Sequence, residues 1–266
     1  MKFDSPMTKD LKITLVQASL TWEAPHTNLK HLGELINSIR KNSTHLILLP
    51  EMFSTGFTMN AEKVAHSMKG EEVAWMLNFA KQKNAVICGS LVISEKGKYY
   101  NRLIWAQPDG KVLHYDKRHL FRMAEEHKTY SSGQKKLIVT LQGWKICPLV
   151  CYDLRFPVWS RTKGEVDLMF YVANWPERRS YPWKQLLIAR AIENQCFVAG
   201  LNRVGDDGKE IAYVGDSVAL DPLGMPVSDI PLKKESVTTI TLSKKQLLDL
   251  RKSFPVMKDN DNFKIL

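Results

Sequence analysis

Three residues that together could carry out covalent hydrolysis each follow an apolar segment of the chain. Glu51 follows HLILLP, Lys117 follows KVLHYD and Cys151 follows WKICPLV. The thiolate is the attacking form of cysteine, so Cys151 needs a group that accepts its proton, and Glu51 is suited to that task. Lys117 supplies a positive charge that, with the backbone N–H of Tyr152, could stabilise the oxyanion formed when Cys151 adds to an amide carbonyl.

Other catalytic schemes have less support in the sequence. A Cys-His pair could use His114, His119 or His127, but the residues around Cys151 carry no protease-like signature. The segment GDSVA around Ser217 lacks the final glycine of a nucleophile elbow and lies in a strand-turn context. Neither an HExxH nor a CxxC motif is present, so we expect no metal site.

The elements that must position these residues alternate between strands and helices. Apolar or alternating patterns predict strands at residues 11–18, 45–50, 85–93, 144–151, 168–174, 196–202, 211–219 and 236–241. The turn Pro108-Asp109-Gly110 between two further apolar runs, residues 99–107 and 111–115, predicts an antiparallel hairpin. Helices are predicted from about residue 27 to 39, at 71–82, at 158–163, and at 180–194 with Ser180 as its cap.

This alternation indicates an α/β protein with a mixed sheet, or a pair of sheets, flanked by helices. Ligands of open α/β sheets bind beyond the carboxyl ends of the strands, where Glu51, Lys117 and Cys151 are expected. The pattern alone does not establish that the three side chains meet.

The local sequences around the three residues resemble those of the nitrilase, or carbon-nitrogen hydrolase, superfamily. LLPEMFSTGF, YDKRHLF and LVCYDLRFP occur in the superfamily's order, followed by ARAIENQCFVAGLNRVG and GDSVALDPLG. The resemblance covers about residues 11–241. It implies a four-layer αββα sandwich, no cofactor, and a catalytic triad of Glu51, Lys117 and Cys151.

The superfamily also carries a second glutamate shortly after the lysine. Glu125 and Glu126 both stand there, in FRMAEEHKTY, and Glu126 is the favoured partner of Lys117 and of the substrate's amino group. MFSTGF, DKRHLFRMAEEH, CYDLRFP and YVANWPERR are most similar to the branch of bacterial omega-amidases. That branch hydrolyses the terminal amide of 2-oxo acids such as 2-oxoglutaramate and 2-oxosuccinamate.

Two alternatives to that activity stay open at the level of the sequence. Another amide, carbamoyl or nitrile hydrolase of the same superfamily would use the same triad, because all of these reactions begin with thiolate attack. A non-catalytic ligand-binding homologue is the remoter alternative, and a lost triad residue would be its signature. None of the three is lost here.

A 2-oxo acid substrate also carries a carboxylate, which requires a cationic or donor-rich end of the pocket. Arg155 and Arg178 are candidates, and Trp175 could form a wall of the pocket. Each has a structural alternative: Arg155 could pair with Asp153, Arg178 could be a surface residue, and Trp175 could belong to the core.

Length and composition favour one domain, residues 1–266, with a core of about 11–241 and a C-terminal extension, 242–266. The net charge of +10 comes from 38 basic and 28 acidic residues spread along the chain, so we interpret the charge as a solvated surface and expect no nucleic-acid partner. Attraction of small anionic substrates is the functional alternative. Residues 1–10 are polar, and no apolar run reaches the ~18 residues of a membrane helix.

The remaining expectations concern the compartment and the assembly. Cys88, Cys147 and Cys196 are expected in or near the core, and the scattered cysteines indicate free thiols of a cytoplasmic protein. The resemblance further implies a homodimer that pairs through helices, with Trp159 and Trp183 as candidate contact residues.

Overall fold

The computed structural model describes residues 9–265, so most of the polar segment 1–10 lies outside the described residues. The strands are β1 (Leu11–Gln17), β2 (Leu46–Leu48), β3 (Val86–Glu95), β4 (Lys98–Ala106), β5 (Val112–Asp116), β6 (Val139–Leu141), β7 (Trp144–Val150), β8 (Leu168–Ala173), β9 (Phe197–Asn202), β10 (Val204–Asp206), β11 (Ala212–Val214), β12 (Val218–Leu220) and β13 (Ser236–Leu242). The helices are α1 (Pro25–Asn37), α2 (Ala61–Val64), α3 (Glu71–Lys83), α4 (Glu126–Thr129), α5 (Pro157–Ser160), α6 (Ser180–Asn194) and α7 (Lys244–Ser253).

Two large mixed sheets form the centre of the molecule. One has the strand order β13-β1-β2-β3-β4-β5 and the other the order β12-β9-β8-β7-β6. The central strands β1, β2 and β3 are parallel, as are β7, β8 and β9. The outer strands of both sheets pair antiparallel, which includes the β4–β5 hairpin predicted from the Pro108-Asp109-Gly110 turn.

The layers follow from which face of each strand is apolar. Alternate residues of the first sheet fall into two separate cores, because successive side chains of a strand point to opposite faces. Leu46 and Leu48 pack inward with residues of the second sheet, whereas Ile47 packs outward with residues of α1 and α3. Trp183 and Leu187 of α6 cover the outer side of the second sheet. The expected αββα sandwich is confirmed.

Several boundaries differ from the expectations, each for a local reason. The predicted strand 211–219 is two strands, β11 and β12, because Gly215 and Asp216 adopt left-handed backbone conformations with φ of 82° and 58°. A side chain at Gly215 would collide with that of Gln17, 2.2 Å away. Ser180 is the first residue of α6 and not its cap; its hydroxyl bonds the carboxylate of Asp216 instead. The helix predicted at 158–163 is the single turn α5.

The segment after residue 241 is integrated into the fold. It contains the end of β13, which pairs with β1, and α7, whose Leu247 is fully buried. Arg251 of α7 donates to the backbone carbonyls of Gln195 and Val166 and to the carboxylate of Asp167. Among residues 9–265, no helix combines the length and the apolar character needed to cross a membrane.

Trp159 and Trp183 do not lie on a free helical face, and this part of the dimer prediction is wrong. Trp183 is completely buried and donates to the backbone carbonyl of Asp216. Trp159 is also buried and donates to the hydroxyl of Tyr115. Both indoles are large apolar groups that the monomer itself covers, so neither is available to a second chain.

Candidate active site

Four strand ends deliver polar side chains to one region between the two sheets. Glu51 lies in the turn after β2, and Lys117 directly follows β5. Cys151 directly follows β7, and Asn174 directly follows β8. The structure therefore brings Glu51, Lys117 and Cys151 together, as three buried residues with exposed fractions of 0%, 1% and 8%.

The ammonium group of Lys117 is held between two carboxylates. Its Nζ lies 2.9 Å from Glu51 Oε1, and 3.0 and 2.9 Å from Glu126 Oε1 and Oε2. Burial alone would lower the pKa of Lys117, but the charges of Glu126 and Glu51 outweigh it and raise that pKa above the ordinary value. Lys117 is therefore a permanent cation in the site.

The structure distinguishes the two neighbouring glutamates. Glu126 is fully buried, and its Oε2 also accepts the backbone N–H of Phe121 at 2.5 Å. Burial raises the pKa of Glu126, and the neighbouring Lys117 opposes that shift. Glu125 is exposed and pairs with Lys128 on the surface, at 2.5 Å. Of these two adjacent glutamates, only Glu126 contacts Lys117.

Two asparagines that the sequence analysis missed complete the contacts of Glu51. Asn101 of β4 donates to Glu51 Oε1 at 2.8 Å and to Glu126 Oε1 at 3.2 Å. The backbone N–H of Asn174 donates to Glu51 Oε2 at 2.8 Å, and the Asn174 side chain donates to the Glu51 carbonyl at 2.6 Å. These donors fix the carboxylate of Glu51 in one orientation.

The thiol of Cys151 lies in the same buried environment. Its Sγ is 3.9 Å from the carbonyl oxygen of Asn174. Burial raises the pKa of the Cys151 thiol well above its ordinary value, the nearby Glu51 carboxylate raises it further, and Lys117 lowers it. In the free protein the thiol is thus protonated near neutral pH, so it must lose its proton as it attacks.

The backbone at Cys151 is strained in a way that is typical of a functional position. Cys151 has a left-handed conformation with φ of 43°, which is uncommon for a residue with a side chain. It opens a 3₁₀ turn, Cys151–Arg155. Because the first N–H groups of a helical turn have no partner within the turn, the N–H of Tyr152 is available to an oxyanion next to Sγ.

A buried hydrogen-bond network holds this turn from below. Both carboxylate oxygens of Asp153 are engaged: Oδ1 by the backbone N–H and ring of His119, and Oδ2 by the hydroxyl of Tyr115 at 2.7 Å. The N–H of Val150 also donates to Oδ2, at 3.2 Å. Since Tyr115 is two residues before Lys117, Asp153 links the turn of Cys151 to the strand that positions the lysine.

A cavity of about 230 Å³ opens above Cys151. Its lining includes Tyr152 and the sequence-predicted residues Arg155, Trp175 and Arg178. The guanidinium of Arg155 lies over the ring of Trp175, 5.0 Å from its centroid. The alternative pairing of Arg155 with Asp153 is therefore wrong, because other donors engage both oxygens of that carboxylate. Trp175 is both buried and part of the wall, and Arg178 is exposed at the rim.

The cavity also contains cationic residues that the sequence analysis missed. Arg179 is partly buried and lies over the ring of Phe121, 5.2 Å from the centroid. Burial, and then the neighbouring Arg178, lower the pKa of Arg179. Lys209 and Asp207 line the cavity from the turn between β10 and β11. The two adjacent arginines in NWPERR were the sequence feature that could have indicated Arg179. The sequence does not show which of the two is partly buried in the folded protein.

The structure does not place the residues of the rival catalytic schemes in a catalytic arrangement. No histidine of the described chain lines the cavity, and His119 is engaged by the buried carboxylate below Cys151. The hydroxyl of Ser217 is buried and bonds the main chain of Asn202. Residues 9–265 contain no group of three or more His, Cys, Asp or Glu side chains arranged to hold a metal ion.

Comparison with known proteins assigns the fold and the site to one class. The profile of the carbon-nitrogen hydrolase family matches residues 12–252. The structure superposes on a CN-hydrolase superfamily protein from Xanthomonas campestris, XC1258, with a TM-score of 0.94 and 44% identity, covering 97% of this chain and 99% of that one. The chain belongs to the carbon-nitrogen hydrolase family, and the predicted resemblance to the nitrilase superfamily is confirmed.

Two further relatives narrow the comparison. The chain is 45% identical over 256 residues to the omega-amidase YafV of Escherichia coli K12, covering 96% of this chain and 98% of that protein. It is 32% identical over 253 residues to the 2-oxoglutaramate amidase of Bacillus subtilis 168, covering 93% and 96% of the two chains. Both relatives are named for amide hydrolysis.

Proposed function

We propose that this protein is an omega-amidase, which hydrolyses the terminal amide of small 2-oxo acids such as 2-oxoglutaramate to the acid and ammonia. The observation that carries the proposal is the buried meeting of Glu51, Lys117 and Cys151 at the floor of a cavity with a cationic lining. The similarity to the omega-amidase YafV and to the 2-oxoglutaramate amidase supports the choice of substrate.

The proposed first half-reaction forms a thioester. Glu51 accepts the proton of Cys151 as Sγ adds to the amide carbonyl, which yields a tetrahedral oxyanion. Lys117 and the N–H of Tyr152 stabilise that charge, and Glu126 keeps the ammonium of Lys117 in position, at 2.9 Å. Glu51 then returns the proton to the departing amine, the C–N bond breaks, and ammonia leaves.

The second half-reaction regenerates the thiol. Glu51 removes a proton from a water molecule, whose oxygen adds to the thioester carbonyl. Collapse of the second oxyanion breaks the C–S bond, and Cys151 recovers the proton held by Glu51. The sum is amide plus water giving acid plus ammonia, and each step uses the same buried charge of Lys117.

The lining of the cavity favours 2-oxo acids over 2-amino acids. Arg155, Arg178, Arg179 and Lys209 line it, and they attract the substrate carboxylate. The one carboxylate among the lining residues, Asp207, is occupied by the hydroxyl of Tyr213 at 2.9 Å and by main-chain N–H groups of its own turn. A 2-ammonium group would therefore meet several cations, and the one carboxylate there already has partners.

Ammonia release from 2-oxoglutaramate tests the proposal, with glutamine and a simple nitrile as comparison substrates. Wild-type protein should turn over the oxo-amide and leave both comparison substrates nearly untouched. Cys151→Ala should abolish turnover and keep the thermal unfolding midpoint of the wild type. Equal turnover of glutamine, or activity retained in the alanine variant, would contradict the proposal.

We further propose that the protein forms a homodimer through a face centred on α6. Ile192 of α6 is 51% exposed, and Leu223 and Met225, in the turn packed on that helix, are 57% and 61% exposed. A side chain at Gly224 would touch Ile188 and Ile192, because the turn and the helix lie so close together. Such a contiguous apolar surface is typical of a protein interface.

The four buried free cysteines support action in the reducing cytoplasm.

A further inference from the structure

One charged residue of the family-like segment GLNRVG has no part in the proposed chemistry. Arg203 is completely buried, directly after β9. Within the described residues, its side-chain hydrogen bonds all go to main-chain carbonyls: Nε to Val204 at 3.2 Å, and Nη2 to Leu20 at 2.9 Å and Asp206 at 2.8 Å. Its guanidinium also lies over the ring of Tyr213, 4.8 Å from the centroid. Burial lowers the pKa of Arg203, as expected of a charge withdrawn from water.

The carbonyls that Arg203 binds belong to two different segments. Val204 and Asp206 are the ends of β10, whereas Leu20 lies in the connection between β1 and α1. The β10–β11 hairpin is a two-stranded sheet of its own. An isolated two-stranded hairpin is marginally stable, so its position depends on its contacts with the rest of the molecule.

Two close approaches join the same pair of segments. A side chain at Gly205 would lie 2.7 Å from the hydroxyl of Ser19, and one at Gly208 would lie 2.4 Å from Cγ of Trp22. Ser19 also forms an isolated parallel bridge with Val204. The hairpin therefore packs directly against segment Ser19–Trp22, and the absence of a side chain at Gly205 and Gly208 permits this close contact.

The opposite side of the hairpin faces the active-site cavity. Tyr213 of β11 and three residues of the connecting turn line that cavity: Asp207, Lys209 and Ile211. Any movement of the hairpin away from Ser19–Trp22 would change the distance of this wall from Cys151. The residues that hydrogen-bond the side chains of Glu51 and Lys117, by contrast, lie outside the hairpin: Asn101, Glu126 and Asn174.

We propose that Arg203 is a positioning residue for substrate binding: it fixes the β10–β11 hairpin to segment Ser19–Trp22 and so sets the cavity wall that carries Lys209 and Tyr213. The inference rests on the proposed function for its substrate. It gives Arg203 no contact with the reacting atoms. It assigns the guanidinium a task that a lysine performs incompletely, because Nη2 bridges the two segments while Nε donates separately to Val204, and a lysine side chain has only one nitrogen.

The first test measures KM and kcat for 2-oxoglutaramate in Arg203→Met and Arg203→Lys, together with alkylation of Cys151 by iodoacetamide. Arg203→Met should raise KM about tenfold or more, since misplacing a binding wall weakens substrate binding. The kcat and the alkylation rate should change less than about threefold, because the catalytic cluster is untouched. Arg203→Lys should recover part of the loss in KM.

Arg251→Met is the matched control. Arg251 also donates to main-chain carbonyls, of Gln195 and Val166, but lines a different part of the surface. We expect it to lower the unfolding midpoint without changing KM. If Arg203→Met likewise lowers only the unfolding midpoint, or lowers kcat and alkylation at unchanged KM, the positioning role is overturned.

A second test does not require replacing the arginine. Gly208→Ala adds a methyl group against Trp22 and should displace the hairpin, raising KM. Trp22→Ala removes the obstacle, so the double variant should have nearly the KM of Trp22→Ala alone. Strictly additive effects would overturn the proposed contact. A wild-type protein that fails to hydrolyse 2-oxoglutaramate would instead refute the proposed function, which separates the two outcomes.

Discussion

At the scale of single residues, the two adjacent glutamates Glu125 and Glu126 provide an internal comparison. Glu126→Gln removes the charge that Lys117 contacts at 2.9 Å, whereas Glu125→Gln removes a surface charge. We expect the kcat/KM of Glu126→Gln to fall ~100-fold, within the range for loss of one electrostatic group in a buried site, and that of Glu125→Gln to change less than about twofold. Ammonia release measures both. Equal losses in the two variants would contradict the assignment.

The arginines of the cavity allow a second comparison at this scale. Arg179 is partly buried beside the ring of Phe121, whereas Arg178 is exposed at the rim. Arg179→Met should raise KM for 2-oxoglutaramate by about 10-fold or more, because a hydrogen bond to a charged group contributes ~1.5–3 kcal/mol. Arg178→Met should raise it less than about threefold. A large effect in Arg178→Met or Arg155→Met alone would identify a different carboxylate anchor.

The catalytic cluster was readable from the sequence only in part. Glu51, Lys117 and Cys151 each follow a strand, and short motifs mark their surroundings. No such motif surrounds Asn101. It lies within β4, and a polar residue in a strand is ordinarily expected to face solvent. Its position follows from the hairpin register: Arg102 pairs with Asp116, so Asn101 stands beside Lys117. That register requires the exact hairpin turn, which the sequence indicates but does not determine.

At the scale of elements, Glu23 connects the end of the β1–α1 loop to the segment that follows Glu51. Its carboxylate accepts from Thr58 and Asn60, both at 2.6 Å, and pairs with Lys63 at 3.1 Å. Burial alone would raise the pKa of Glu23, but these partners together lower it from its ordinary value. A lowered carboxyl pKa contributes stability above the unfolded-state value of 4.5, and this contribution is lost as the pH falls below it.

Glu23→Gln should therefore lower the unfolding midpoint at neutral pH by about 2–4 °C, the shift expected for ~1 kcal/mol in a chain of this size. The gap between variant and wild type should narrow as the pH falls below 4.5 and close where the wild-type carboxyl becomes protonated. Glu62→Gln, at an exposed position of α2, is the control. A gap that stays constant with pH would show that the charge of Glu23 is not its source.

The strands that the sequence analysis missed or merged share one property. β10, β11 and β12 have three residues each, too few for an alternating pattern, and left-handed residues separate β11 from β12. The long central strands and α1, α3 and α6 were recognisable because their apolar periodicity extends over enough residues. The hairpin that forms a wall of the cavity is therefore among the least predictable parts of the fold.

At the scale of the whole molecule, the sandwich explains why distant segments meet. Strands β2 and β7, in different sheets, direct their carboxyl ends toward the same region, so Glu51 and Cys151 meet although 100 residues separate them. The number and order of layers came from the resemblance, since periodicity indicated only sheets flanked by helices. The outer surface of the α6 layer is the proposed contact with a second chain.

That surface gives the last prediction. Wild-type protein should have about twice the 30.5 kDa chain mass in light scattering, and Ile192→Glu should shift it toward the monomer, because a carboxylate at an apolar contact must lose its hydration. Leu113→Glu, at an exposed position on β5 of the other sheet, should leave the mass unchanged. A monomeric wild type would exclude the dimer. If Ile192→Glu stays dimeric, the interface does not lie on α6. If Leu113→Glu loses the dimer, the interface lies at the edge of the first sheet.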